Sequence, residues 1–174
     1  MPASARLKTF GAPALLSRGE GSESVPIPRI PMAVLAVIAA EERSGITRDR
    51  LTGLFWPESP ESNAKNLLNN ALLKARQALG TTHVVLQGAA ALQLDPAILT
   101  SDVAEFESAL AAGELERAVA AYGGRFLDGL DLGDRPEVAR WAAARRDTLA
   151  GRCLDALLTL ARRAIEARDA ERAR

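Results

Sequence analysis

The fold of this chain is decided by residues 59–80, which read SPESNAKNLLNNALLKARQALG. Ser59 is a candidate N-cap, Pro60 occupies the first helical position, and Gly80 is a typical stop residue. Apolar residues recur at helical spacing and predict one buried side, made of Ala64, Leu68, Ala71, Leu72, Ala75 and Leu79. The stretch therefore predicts a single amphipathic helix.

The opposite side of this helix carries amides and one cation. We call it the amide–lysine face, and its members are Asn63, Asn66, Asn70, Leu73, Lys74 and Gln77. Asn and Gln pair with adenine edges in the major groove of DNA, and Lys reaches guanine or phosphate. Residues 62–94 contain no Asp or Glu. The face suits a helix that lies in the major groove of double-stranded DNA; the alternative is a solvated face on a core helix.

Composition limits the size and the class of the protein. The chain has 174 residues, 48% of them hydrophobic, which is enough for one or two small domains with a packed core. Because 22 basic residues balance 22 acidic ones, any nucleic-acid site must be local. A single cysteine, Cys153, excludes an intrachain disulfide, and the apolar run 32–40 is too short to span a bilayer. We expect a cytoplasmic protein without a membrane partner.

The pattern of residues 1–99 predicts a small domain of both strands and helices. Residues 1–28 indicate about three short antiparallel strands, and a buried helix is expected over 32–43. A short helix over 48–55 follows, and with the helix after it makes a helix-turn-helix. Residues 84–86 and 91–94 predict a hairpin, the wing of a winged helix, whose tip at 87–90 lacks Arg and Lys.

Three residues near the predicted DNA face have competing interpretations. Thr47 and Arg48 begin the short helix, where free N–H groups favour phosphate, but Thr47 also suits a plain helix cap. Arg76 lies toward the flank of its helix, so it contacts DNA or pairs with a carboxylate of the protein itself.

Residues 100–174 predict an all-helical domain. Asp102 and Glu105 resemble a capping box, and two short helices then form a hairpin. A loop over 123–133 is expected to tuck its apolar side chains under these helices. The last helix starts near Pro136, has Cys153 on its apolar side and extends for roughly 45 Å at 1.5 Å per residue. Half of its apolar stripe lacks a predicted neighbour, so we expect further chain or a partner protein to cover it.

Catalytic constellations are not evident. His83 is the only histidine, which excludes a histidine metal site or triad, and Gly-rich residues 11–21 lack the ending of a phosphate-binding loop. We expect no enzyme activity, no metal and no cofactor.

Five stretches in order resemble one family. They are PRIPMAVLAVIAAE, ITRDRLTGLFWPES, NLLNNALLKARQALG, SDVAEFESAL and GRFLDGLDLGDRPEVARWAAARRDTL. Across about residues 5–165 the chain resembles bacterial transcriptional activators of the SARP type. The resemblance implies an OmpR-like winged helix at 1–99 with a four-stranded N-terminal sheet, and a tetratricopeptide-like bacterial transcriptional activation domain (BTAD), here its N-terminal part, at 100–174. It also implies direct-repeat promoter sites, pairing of protomers on DNA, and contact with RNA polymerase.

The chain departs from this family in its cations. Asn69 and Gln77 stand where family members often carry Arg or Lys. Because phosphate contacts supply most non-specific affinity, we expect weaker DNA binding with a shallower salt dependence. Two hypotheses follow: a sequence-specific DNA-binding regulator, or a protein-interaction module whose winged helix no longer binds DNA.

Overall fold

The computed structural model describes residues 5–17, 22–41, 44–86, 91–133 and 135–172. Within these ranges the strands are β1 (Ala5–Lys8), β2 (Ala14–Ser17), β3 (Ser24–Val25), β4 (Ile46–Thr47), β5 (Ala91–Leu92) and β6 (Leu99–Ser101). The helices are α1 (Arg29–Ala40), α2 (Arg48–Phe55), α3 (Glu61–Leu79), α4 (Asp102–Ala112), α5 (Leu115–Ala121) and α6 (Pro136–Arg172). The chain is thus a mixed α/β structure with an N-terminal sheet and a C-terminal helical region.

The N-terminal sheet has the strand order β3-β2-β1-β6. The three antiparallel strands predicted from the first 28 residues are confirmed, with Leu7 opposite Leu15. The fourth strand comes from a distant part of the chain, since β6 pairs in parallel with β1 and aligns Ser101 with Leu7. The residues that lead into the helical region therefore belong to the sheet.

Helix α1 lies at the centre of the core. All ten residues from Pro31 to Ala40 are buried, as the almost uniformly apolar sequence predicts. The helix starts at Arg29, earlier than expected, because Pro31 lies in the first turn, where a missing N–H breaks no helical bond. It ends at Ala40, and the Gly45 N–H donates to the Glu41 carbonyl at 2.7 Å in the turn that follows.

Helix α3 begins one residue later than predicted. Pro60 is the N-cap, since its carbonyl accepts from the Ala64 N–H at 2.9 Å. Ser59 is thus not the cap, and its own N–H donates to the Trp56 carbonyl. Gly80 ends the helix with a φ of 63°, a conformation that glycine adopts without steric cost, so the predicted stop is confirmed.

A buried carboxylate joins the sheet to the helical region. Asp102 is not the cap of α4; Ser101 is, and its side chain accepts from the Ala104 N–H. The Asp102 carboxylate instead accepts from the Thr9 N–H at 2.8 and 2.9 Å, from the Thr9 hydroxyl, and from the Phe10 N–H at 2.9 Å. The residues just after β1 are thereby fixed to the first turn of α4.

The helical region packs as the sequence predicts. Helices α4 and α5 form a hairpin, and Phe126 and Leu127 of the following loop are fully buried. The Leu127 N–H donates to the Thr9 carbonyl at 2.7 Å, so this loop also hydrogen-bonds to the residues just after β1.

Helix α6 is a continuous rod of 37 residues, about 55 Å long at 1.5 Å per residue, and passes through Gly151 without a break. Its first half buries Val138, Ala142 and Leu149, and Cys153 is buried as predicted. Farther along, four large apolar side chains are exposed, namely Leu154, Leu157, Leu158 and Ile165. Among the described helices, none combines the length and apolarity needed to cross a lipid bilayer.

Replacement of Asp102 by Ala should destabilise the fold by about 3 kcal/mol, because it leaves the buried N–H groups of Thr9 and Phe10 without an acceptor. Asp155→Ala is the control, since Asp155 is exposed on α6 and should change stability by less than about 0.5 kcal/mol. Urea unfolding of both variants measures the difference, and equal midpoints would contradict this role of Asp102.

Candidate nucleic-acid interface

The structure brings the amide–lysine face together on the outside of the molecule. All six of its members are exposed: Asn63, Asn66, Asn70, Leu73, Lys74 and Gln77. Leu73 keeps 44% of its surface in contact with solvent. The face presents amide donors and acceptors, one ammonium group and one apolar side chain.

This exposure follows from the packing of the other side of α3. Ala64, Leu68, Ala71, Leu72 and Ala75 are buried, as predicted, while Leu79 is only half-buried at the helix end. Helix α3 packs against α1 through this side. Because successive residues of an α-helix are rotated by about 100°, burial of these positions turns the amide–lysine face toward solvent.

Two acidic groups, Glu61 and Asp49, lie near the start of α3. Glu61, in the first turn, forms an ion pair with Lys65. Its hydrogen bond raises the pKa of Lys65 and lowers that of Glu61, and the charge of Asp49 on α2 acts on Lys65 in the same direction. Lys65 is therefore partly neutralised by its neighbours, whereas Lys74 lies nine residues farther along α3.

The N-terminus of α2 lies beside α3. Thr47 is confirmed as the N-cap, because its hydroxyl oxygen accepts from the Arg50 N–H at 3.2 Å. The exposed Arg48 guanidinium donates from Nη1 to the Asn69 side-chain oxygen on α3 at 3.2 Å. From the sequence, Asn69 is only a position that lacks the expected cation, whereas in the structure it accepts a hydrogen bond from Arg48. The contact joins residues 21 positions apart, so helical spacing alone does not reveal it.

A small groove lies between α2, α3 and the hairpin that follows α3. Its volume is about 130 Å³, and its polar lining is provided by Arg48, Asn69, Arg76 and His83. Arg76 donates from Nη1 to the Thr82 carbonyl at 3.4 Å, and within the described ranges it forms no ion pair. The alternative of a carboxylate partner for Arg76 is therefore wrong for this part of the chain, and one guanidinium charge lies unneutralised beside the groove.

The predicted hairpin is present next to α3. The Leu86 N–H donates to the Gln93 carbonyl at 2.9 Å, the Asp95 N–H donates to the Val84 carbonyl at 3.0 Å, and β5 pairs with β4 on the other side. At the base of the hairpin, His83 Nε2 lies 3.0 Å from Asp95 Oδ2. The predicted tip at 87–90 falls outside the described residues.

Within the described ranges, groups for a metal site are not brought together. Among the residues that the structure describes, no cluster of three His, Cys, Asp or Glu side chains is arranged to hold a metal ion. Cys153 is buried, and burial raises the pKa of its thiol, which disfavours the nucleophilic thiolate at neutral pH.

Comparison with known proteins gives a structural likeness only. No protein-family model matches the chain, and no curated protein matches it. Among solved structures it is similar to Mycobacterium tuberculosis EmbR in complex with a low-affinity phosphopeptide, with a TM-score of 0.59 and 20% identity. The similarity covers 98% of this chain and 50% of that chain, so the sequence spans about half the length of the EmbR chain. At this level of identity the likeness shows a shared fold.

Proposed function

We propose that this chain is a sequence-specific DNA-binding transcriptional regulator whose helix α3 reads the major groove. The exposed amide–lysine face, on a helix whose opposite side is buried, is the observation that carries the proposal. Asn and Gln amides provide paired donors and acceptors for adenine, and Lys74 provides a cation for guanine or phosphate. The chain needs no catalytic group, metal or cofactor for this role.

We interpret residues 1–99 as an OmpR-like winged helix and residues 100–174 as a tetratricopeptide-like domain of the BTAD type. Three features support this interpretation: α2 is followed by α3 across a short turn, a hairpin comes directly after α3, and the overall fold is similar to that of EmbR. In this proposal the helical domain contacts RNA polymerase or another protein, and two protomers pair on repeated DNA sites.

We place the phosphates of the DNA backbone on the side of α3 that faces the groove lined by Arg48 and Arg76. Arg48 is held toward α3 by Asn69, and Arg76 lines the same groove without an ion-pair partner among the described residues. Phosphate contacts fix the register of a protein on DNA, while contacts to base edges read the sequence. Arg48 and Arg76 therefore set position, and the amides of α3 set specificity.

A second function is favoured by helix α6. Its four exposed apolar side chains, from Leu154 to Ile165, resemble a protein-contact surface more than a solvated one. In that case the chain is an interaction module whose winged helix no longer binds DNA. The two functions differ in one simple respect, since only the regulator binds duplex DNA at low salt.

The first step is to select, from random duplex DNA, the sequences that the protein binds. Substitutions in the amide–lysine face then test the proposal on the selected site. Asn70→Ala should weaken binding to the selected site by about 1–3 kcal/mol and relax preference at one base pair. Lys74→Ala should weaken binding to all sequences by a similar factor. Arg163→Ala is the matched control, because it removes an exposed cation from α6. Unchanged affinity in both face variants would exclude the major-groove assignment.

A double-mutant cycle tests the contact between Arg48 and Asn69. Asn69→Ala should reduce DNA affinity by about threefold to tenfold, because the freed guanidinium pays the entropy of ordering when it binds phosphate. In an Arg48→Gln background the same change should have little effect. Fluorescence anisotropy with labelled duplex provides the four dissociation constants; additive effects would show that Asn69 acts independently of Arg48.

A further inference from the structure

A second cavity lies at the C-terminal end of α1. Its volume is about 520 Å³, it is partly open to solvent, and it is lined by the C-terminal end of α1, by α4 and by α6. Cavities that hold small organic molecules usually measure ~300–1,000 Å³ and combine apolar walls with a few polar groups. This cavity has that composition, since alanines of α1 and α4 form its apolar lining and two arginines of α6 complete it.

Two arginines and two glutamates line the cavity, and one of the glutamates pairs with a cation outside the lining. Glu107 of α4, with 7% of its side chain exposed, accepts hydrogen bonds from both Arg145 and Arg152 of α6. One carboxylate therefore faces two guanidinium groups. The other acidic group in the lining, Glu41, is engaged elsewhere, by the Trp141 indole N–H at 3.2 Å and by Arg50 at 3.8 Å. The cluster of Arg145, Arg152 and Glu107 keeps one positive charge in excess.

Arg145 and Arg152 each have further N–H donors besides those that bind Glu107. Arg145 uses Nη2 for Glu107 and for the Ala40 carbonyl at the end of α1, and its Nη1 has no acceptor in the described part of the chain. Arg152 uses Nη1 for Glu107. The guanidinium N–H groups that these contacts do not use are available to an acceptor in the cavity. Guanidinium groups bind carboxylates with particular strength, through two parallel N–H···O bonds.

We infer that this cavity is a binding site for a small organic monocarboxylate. Its carboxylate is bound by Arg145 and Arg152, and its aliphatic or aromatic body lies against the alanine lining of α1 and α4. The excess positive charge selects a monoanion over a neutral molecule. Because Arg145 also binds the last carbonyl of α1, an occupied site strengthens the connection between the N-terminal part and the helical region.

Thermal unfolding of the full chain with matched pairs of probes tests this site. The probes are hexanoate and benzoate, compared at equal ionic strength with the neutral hexanamide and benzamide. At a carboxylate concentration ten times Kd, Tm should rise by about 3–6 °C, while the amides should leave it unchanged. Arg152→Gln should weaken carboxylate binding at least about tenfold, whereas Arg163→Gln, on an exposed part of α6, should bind like the wild type.

A second variant keeps the test valid should Arg152→Gln fail to fold. Ala111→Leu places additional side-chain volume at the rim of the cavity without a change in charge, and it should also weaken carboxylate binding. The proposal is overturned by any of three results: equal stabilisation by acid and amide, wild-type affinity in the folded variants of the cavity, or no rise in Tm with either carboxylate at millimolar concentration.

Discussion

The packing of α3 against α1 is the constraint on which the account of this molecule depends. Helix α1 is buried along ten consecutive residues, so any helix beside it must offer it an apolar side. Helix α3 offers small and branched residues, Ala64, Leu68 and Ala75 among them. A helix is rigid about its axis, so this contact fixes the direction of every other side chain on α3. The exposure of Asn70 and Lys74 is therefore a consequence of the core.

Buried polar contacts hold the helical region to this core. Asp102 binds the backbone just after β1, and Arg145 of α6 connects Glu107 with the last carbonyl of α1. Such contacts are directional, and a buried group that loses its partner is costly. They consequently specify one arrangement of sheet and helices where apolar contacts alone would tolerate several. A ligand bound at Arg145 would act on the same connection.

Sequence reasoning succeeded where structure is local and missed contacts between distant residues. The period of α3 and the stop at Gly80 are properties of a short window, and both were correctly predicted. Helix starts were misplaced by a residue, at Ser59 and at Asp102, because neighbouring Ser, Pro and Asp all suit the start of a helix. The parallel pairing of β6 with β1 and the bond from Arg48 to Asn69 join separate parts of the chain, and no periodicity reports such contacts.

The central claim, that the outer side of α3 contacts nucleic acid, is tested most directly by the salt dependence of DNA affinity. Three cations lie on or beside the amide–lysine face, namely Arg48, Lys74 and Arg76. Because each neutralised phosphate contributes ~0.9, the logarithm of the DNA-binding constant should fall with the logarithm of salt concentration with a slope of about −3. Lys74→Ala should reduce the steepness by about one. A slope of zero, or no detectable binding of duplex DNA at the lowest salt, would contradict the claim and leave the interaction module as the function.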